Sequence, residues 1–173
     1  MTGLDHLWAG WRSAYITSVT ENDAQLAPDE SGSLFERILG SGLSDAEAYV
    51  VHRGPTCAVL LNAFPYTNGH MLVLPNRAAA ELEDLTEEEQ AELWQLVRES
   101  VVALKSAYRC EGVNIGMNLG AAGGAGVPDH LHVHVLPRWQ GDTNFMTSVA
   151  ETRVLPEPLG DCWAKLSAAW PTA

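Results

Sequence analysis

Three histidines stand at alternate positions in the segment 129–139, DHLHVHVLPRW, of a chain with only six histidines. In an extended strand this period places His130, His132 and His134 on one face, about 6.6 Å apart, and gives the opposite face to the core. Imidazole can attack phosphorus as a nucleophile, donate hydrogen bonds to phosphate oxygens or bind a divalent metal ion. The spacing therefore indicates a functional row rather than a polar surface strand.

A metal site and a phosphate site are the chemical alternatives for this row. Two histidines separated by one residue can share a divalent ion, but the site needs further ligands, and the neighbouring residues are glycine, proline and one aspartate. The preceding loop, GAAGGAG at 120–126, favours phosphate, because glycines let backbone N–H groups approach an anion closely. Gly124 and Gly126 are therefore candidate phosphate contacts, and no metal site is predicted.

The strands that must position the row are short and rich in apolar residues. AYVVHR, CAVLLN and HMLVLP follow one another between residues 48 and 75, and the turn PYTNG precedes the third, which predicts an antiparallel meander. GVNIGMNLG, at 112–120, alternates apolar residues such as Ile115 with polar ones. This alternation predicts a half-buried strand that leads into the glycine loop.

One long and one shorter helix complete the predicted elements. Thr86 and Glu89 form a capping box, and the helix that they open runs to about Tyr108. The apolar stripe that should face the sheet consists of Leu93, Val97, Val101, Leu104 and Tyr108. Glu92 is expected to face water, and the shorter helix covers about Leu34 to Leu39. Strands with a long helix on one face predict an α+β domain.

Length and composition limit the class of protein. The 173 residues predict one domain with an N-terminal arm at 1–33, a core at 34–146 and a C-terminal tail and helix at 147–173. The net charge of −12 argues against a nucleic-acid partner. Without a long apolar run or a secretory signal, we expect a cytoplasmic protein with no membrane partner. The cysteines expected to be reduced and buried are Cys57, Cys110 and Cys162.

The segment HLHVHVL resembles the histidine triad motif of the histidine triad (HIT) superfamily of nucleotide hydrolases and transferases. The upstream LNAFPYTNGHMLVLP is similar to an earlier family segment, in which an Asn or Asp stands eight residues before a further histidine, here Asn62 and His70. LWAGWRSAYI and PRWQGDTNFM resemble the bacterial branch that includes diadenosine tetraphosphate phosphorylases. The resemblance covers most of residues 4–160 and implies a HIT-like fold.

The resemblance also implies a role for each histidine. His132 would be the nucleophile that forms a covalent nucleotidyl-histidine at the α-phosphate, and a second step would transfer the nucleotide to water or another acceptor. His134 would contact the α-phosphate oxygens, and His130 would hold the strand end and tune the others. The carbonyl of His130 would accept from Nδ1 of His132 and leave Nε2 to attack. His70 would line the same pocket.

Further residues are implied as nucleotide contacts. Asn62 would bind ribose hydroxyls, and Asn118 would lie on the phosphate or ribose side. Trp139 would bound the polyphosphate or base pocket, unless it serves packing alone. Gly126 stands where many hydrolases of the family carry a glutamine. Bacterial phosphorylases of this type also lack that glutamine, which favours inorganic phosphate as the acceptor.

The function that the resemblance implies is cleavage of dinucleoside polyphosphates such as diadenosine tetraphosphate. The enzyme would act as a homodimer without a cofactor, and a divalent metal would enter only as part of a substrate complex. Three alternatives stay open: a nucleoside phosphoramidase with the same nucleophile, a nucleotide-binding regulatory module and metal-dependent hydrolysis.

Overall fold

The computed structural model describes residues 32–142 and 157–171. The helices are α1 (Leu34–Leu39), α2 (Glu87–Tyr108) and α3 (Leu159–Ala168), and the strands are β1 (Val50–Arg53), β2 (Cys57–Leu61), β3 (Met71–Pro75), β4 (Gly112–Met117) and β5 (Val133–Arg138). These elements belong to one compact unit. The parts of the predicted domain that lie outside the described residues are 1–31 of the N-terminal arm, 143–146 of the core, and 147–156 and 172–173 of the tail.

The five strands form one antiparallel sheet in the order β1-β2-β3-β5-β4. The first three strands are the predicted meander, and β5 inserts between β3 and β4. In this register His134 lies opposite Leu72 of β3 on one side and opposite Gly116 of β4 on the other. The sheet and its long helix confirm the α+β prediction.

The two faces of the sheet are covered by different helices. On one face α2 packs over β2, β3 and β5, and α3 packs against β1 and α2. Their apolar side chains share the larger core cluster with Val73 and Val133 of the sheet. On the other face Phe35 of α1 packs in a smaller cluster that includes Leu72 and Leu74. None of the helices in the described part of the chain has the length and apolar content to span a bilayer.

Helix α2 begins and ends where the sequence predicts. Thr86 is the N-cap and forms a capping box with Glu89. The prediction that Glu92 faces water is wrong, since its carboxylate accepts hydrogen bonds from the backbone N–H of Thr56 at 2.6 Å and of Cys57 at 3.0 Å. The turn between β1 and β2 lies beside this part of α2. The backbone N–H groups of this turn therefore donate to a carboxylate on the helix.

Strand β4 is less buried than its alternating sequence predicts. Val113 and Met117 pack against the larger cluster, but Ile115 is 47% exposed. The physical reason is position, because β4 is an edge strand and α2 packs over β2, β3 and β5. The three cysteines are free and buried, as predicted.

Candidate active site

The alternation of the histidine segment is confirmed by the burial of the residues between the imidazoles. Leu131 and Val133 are buried in the larger core cluster, so the histidines face the other side of the sheet. His130 and His132 lie in the segment immediately before β5, and His134 is the second residue of that strand. The three are not equivalent, because His130 is 0% exposed and His132 5%, whereas His134 is half-buried.

His130 is enclosed by α1 and the end of β3. Its Nε2 donates to the carbonyl of Pro75 at 2.8 Å, and its Nδ1 lies 2.5 Å from Oγ of Ser33. The ring of Phe35 packs edge-on against the imidazole, with centroids 5.3 Å apart. His130 is therefore held inside the fold at the start of the histidine segment, which is compatible with the expected role of holding the strand end, and its influence on the other histidines stays a prediction.

His132 makes the hydrogen bond that the family resemblance implies. Its Nδ1 donates to the carbonyl of His130 at 2.9 Å, which leaves the lone pair on Nε2. Its ring packs edge-on against Phe35 and His134, with centroid distances of 5.2 Å and 5.0 Å. Burial lowers the pKa of His132 below its ordinary value of 6.5. At neutral pH the imidazole is therefore uncharged.

A chain of hydrogen bonds also fixes the proton of His134. The backbone N–H of Tyr66 donates to Nδ1 of His70 at 3.1 Å, so the proton of His70 is on Nε2. This Nε2 lies 2.9 Å from Nδ1 of His134 and donates to it. His134 then carries its own proton on Nε2. The site thus combines a lone pair on His132 with an N–H donor on His134.

The turn between β2 and β3 holds His70 in place. The backbone N–H of Asn62 donates to the carbonyl of His70 at 2.9 Å, and its side-chain Nδ2 lies 3.3 Å from Nδ1 of His70. Oδ1 of Asn62 accepts from the N–H of Phe64 at 2.9 Å. The ring of Tyr66 stacks on His134, with centroids 5.8 Å apart and planes 22° apart. Asn62 therefore lies next to His70, and its expected contact with ribose hydroxyls stays a prediction.

Sequence reasoning missed Tyr66, Ser33 and Phe35. Tyr66 lies in the turn PYTNG, which the sequence marks only as a turn. Ser33 with Glu36 is a capping box of the same type as the one at Thr86. That pattern was a usable signal for the start of α1. It carried no information about a histidine 97 residues away.

The glycine loop forms hydrogen bonds within itself. Gly124 has φ 90° at the end of a short 3-10 turn, and its N–H donates to the carbonyl of Ala121 at 3.0 Å. This N–H is therefore hydrogen-bonded within the loop, and a contact of Gly124 with phosphate stays a prediction. Gly126 is exposed. Asn118 follows Met117, the last residue of β4 paired with β5, and is half-buried.

Trp139 lies at the opposite end of β5 from the start of the histidine segment. Its ring makes an edge contact with Tyr108, with centroids 6.3 Å apart, and it packs against the larger core cluster. These contacts favour the packing alternative for Trp139. The structure does not bring it next to His132.

Within residues 32–142 and 157–171, no three His, Cys, Asp or Glu side chains are arranged to hold a metal ion. Nε2 of His70 and Nδ1 of His134 are joined by a hydrogen bond of 2.9 Å. A metal ligated by these two atoms would have to replace that hydrogen bond.

Comparison with known proteins gives consistent matches. A family model described as HIT domain matches residues 44–141. The chain is 39% identical over 168 residues to "AP-4-A phosphorylase" of Mycobacterium tuberculosis, covering 96% of this chain and 85% of that protein. It is 37% identical over 93 residues to "Bis(5'-nucleosyl)-tetraphosphatase [asymmetrical]" of Schizosaccharomyces pombe, covering 54% and 50% of the two chains. The solved structure of a zinc-bound histidine triad family protein from Mycobacterium smegmatis matches with a TM-score of 0.65 and 27% identity, over 79% of this chain and 91% of that one.

Proposed function

The chain belongs to the HIT family, and on this premise we propose that it is an enzyme that cleaves dinucleoside polyphosphates through a nucleotidyl intermediate on His132. The observation that carries the proposal is the hydrogen bond from Nδ1 of His132 to the carbonyl of His130. It leaves a lone pair on Nε2 of the buried, uncharged His132 imidazole. The ring of His134, which carries an Nε2–H, lies next to it, with centroids 5.0 Å apart. Attack on phosphorus needs a nucleophile and, close to it, a hydrogen-bond donor to the phosphate oxygens, and these two histidines supply both.

The first step forms a bond between Nε2 of His132 and the α-phosphorus. The bond from that phosphorus to the bridging oxygen breaks, and the leaving nucleotide takes the electron pair. The Nε2–H of His134 donates to a non-bridging oxygen, where negative charge accumulates in the transition state. Desolvation of His132 keeps the proton off the attacking nitrogen at neutral pH.

The second step returns the enzyme to its starting state. An oxygen of the acceptor attacks the phosphorus, the N–P bond breaks, and its electron pair returns to Nε2 of His132. The acceptor's proton passes to solvent. We propose inorganic phosphate as the acceptor, supported by the name of the Mycobacterium tuberculosis relative, a phosphorylase, and by Gly126, which offers no side chain to position a water.

The proposed nucleotide contacts are Asn62, Asn118 and Gly126. Asn62 is supported by its contact with His70, because the same amide lies at the edge of the histidine cluster. Met117 and Val133 are the last residues paired at this end of β4 and β5. Asn118 follows Met117 and His132 precedes Val133, so both lie at the same end of the two strands. The amide groups of both asparagines can donate to and accept from ribose hydroxyls.

Product analysis tests the chemistry and the acceptor together. Diadenosine tetraphosphate is incubated with the protein, with and without inorganic phosphate, and the nucleotides are separated by chromatography. Formation of ADP and ATP only in the presence of phosphate would support a phosphorylase, in which phosphate is the acceptor. Formation of AMP and ATP without phosphate would contradict phosphate as the acceptor but would still support cleavage of the dinucleotide by this protein. A His132→Ala variant should lose turnover, whereas His52→Ala, which removes a ring stacked on Trp170, should retain it.

The alternatives make different predictions in the same assay. A phosphoramidase would release AMP from adenosine 5'-phosphoramidate faster than it cleaves the dinucleotide. A regulatory module would bind the nucleotide and release no product. Metal-dependent hydrolysis would stop on addition of a chelator, and the similar Mycobacterium smegmatis protein is zinc-bound.

We also propose that the chain forms a homodimer through the edge of the sheet at β4. Ile115 is 47% exposed on this edge strand, and Val102 is 48% exposed on α2. An edge strand with exposed apolar side chains is a template for pairing with a second copy. Ile115→Asp should convert a dimer to a monomer in light-scattering measurements, while Leu43→Asp, at a residue 53% exposed elsewhere, should not. A wild-type monomer would contradict the proposal.

A further inference from the structure

The hydroxyl of Ser33 makes two hydrogen bonds in a buried position. As the N-cap of α1 it accepts from the backbone N–H of Glu36 at 3.2 Å, and it lies 2.5 Å from Nδ1 of His130. Ser33 is 4% exposed and His130 0%. Because Nε2 of His130 donates to the carbonyl of Pro75, Nδ1 is the acceptor nitrogen. The hydroxyl proton of Ser33 is therefore donated to His130.

Both nitrogens of His130 are thus fixed to separate segments of the chain. Ser33 ties Nδ1 to the start of α1, and Pro75 ties Nε2 to the end of β3. The same residue presents its backbone carbonyl to Nδ1 of His132 at 2.9 Å. Restraint of the His130 side chain consequently restrains the acceptor that selects the tautomer of His132.

The start of α1 is itself anchored. The carboxylate of Glu36 accepts from the backbone N–H of Ala78 at 2.9 Å and of Ser33 at 2.8 Å. These two hydrogen bonds, that from Ala78 foremost, lower the pKa of Glu36 below its ordinary value of 4.5. Phe35 adds edge contacts to both buried imidazoles. Ser33 therefore presents its hydroxyl from a restrained segment.

We propose that Ser33 is a positioning residue of the active site, which acts on His132 through His130. The inference rests on the proposed function, since it takes His132 as the nucleophile. Ser33 touches no reacting atom. Without its hydroxyl, Nδ1 of His130 is a buried acceptor with no donor, and the imidazole can exchange tautomer or rotate. The His130 carbonyl then moves, and the lone pair on Nε2 of His132 is no longer held in one orientation.

Capping and positioning can be separated with variants of the two N-caps. Ser33→Ala removes both the cap and the donor to His130, whereas Thr86→Ala removes an equivalent capping box at α2, and the ring nitrogens of His130 are bonded to Ser33 and Pro75 rather than to Thr86. Ser33→Thr keeps the hydroxyl. Ser33→Gly removes the hydroxyl but keeps a residue that is tolerated at an N-cap, and it serves if Ser33→Ala does not fold.

The readouts are steady-state kinetics on diadenosine tetraphosphate with phosphate, and two-bond ¹H–¹⁵N NMR correlations of the histidine rings. We expect Ser33→Ala to lower kcat by about tenfold to a hundredfold with KM within about twofold, as a sub-ångström to ångström displacement of the nucleophile would. The ring-nitrogen shifts of His130 and His132 should move toward mixed tautomers. Ser33→Thr should restore both readouts, and Thr86→Ala should change neither.

The outcomes distinguish this inference from the function on which it rests. Full turnover by His132→Ala would overturn the proposed nucleophile whatever Ser33 does. If His132→Ala is inactive but folded Ser33→Ala or Ser33→Gly retains wild-type kcat and ring-nitrogen shifts, the role of Ser33 alone is refuted. Equal losses of kcat in Ser33→Ala and Thr86→Ala would also refute it, because the effect would then be general destabilisation.

Discussion

Gly69, immediately before His70, should not tolerate a side chain. Its φ is +75°, which disfavours other residues, and an added Cβ would lie 2.8 Å from Cε2 of Tyr108 and 3.1 Å from Cδ2 of Leu104. The Tyr108 ring cannot easily move away, because its hydroxyl donates to Glu157 at 2.9 Å. The left-handed backbone costs about 1–2 kcal/mol. Overpacking adds about 1–3 kcal/mol, so Gly69→Ala should lower the free energy of unfolding by about 2–5 kcal/mol.

Gly42 offers a control that isolates the steric contribution. It has φ +74° but no heavy atom within 4 Å of an added Cβ. Gly42→Ala should therefore lose only the backbone contribution of about 1–2 kcal/mol. The assay is urea unfolding followed by tryptophan fluorescence, with midpoints converted through the shared slope. Equal losses in Gly69→Ala and Gly42→Ala would refute the close packing of the turn against Tyr108.

Three further predictions concern buried polar groups. The free energy of unfolding should fall as the pH drops below about 6.5, because burial lowers the pKa of His130 and His132 in the folded state while the unfolded chain takes up protons from that pH downward. An unchanged urea midpoint between pH 7 and pH 5 would contradict this. Glu92→Ala should cost about 1–3 kcal/mol by leaving backbone donors of the β1–β2 turn unpaired, compared in urea unfolding with Glu88→Ala, an exposed residue that should cost little. Burial raises the pKa of Cys57 to about 11, so this thiol should resist iodoacetamide at pH 8 until the protein is unfolded, as mass spectrometry of labelled peptides would report.

The parts of the fold that the sequence predicts correctly are governed by local chemistry. The cap at Thr86 placed the start of α2 at Glu87, because the hydrogen bonds of a capping box join residues three apart. The alternation in the histidine segment identified Leu131 and Val133 as core residues for the same reason, since strand geometry fixes which side chains share a face.

The contacts that the sequence did not predict depend on which segments meet across the fold. Glu92 forms a hydrogen bond with Thr56, 36 residues earlier, and His130 forms one with Ser33, 97 residues earlier. No local pattern specifies either pair. Ile115 has the periodicity of a buried position, but its exposure follows from the edge position of β4 in the strand order. The triad motif located the candidate site, whereas the deeper burial of its first two histidines relative to the third follows from the packing of Phe35 of α1 against them.

Helix α1 covers only part of its face of the sheet. Phe35 closes over β3 and the first two histidines, but beyond them Gly116 is exposed, with no heavy atom within 4 Å of where its Cβ would be. His134, which lies opposite Gly116, is half-buried, whereas His132 is buried, so the margin of the hydrophobic layer runs between these two histidines. A nucleotide seated over β5 and β4 would extend that layer. Substrate binding and folding are then thermodynamically linked, and saturating nucleotide should raise the melting temperature of the protein.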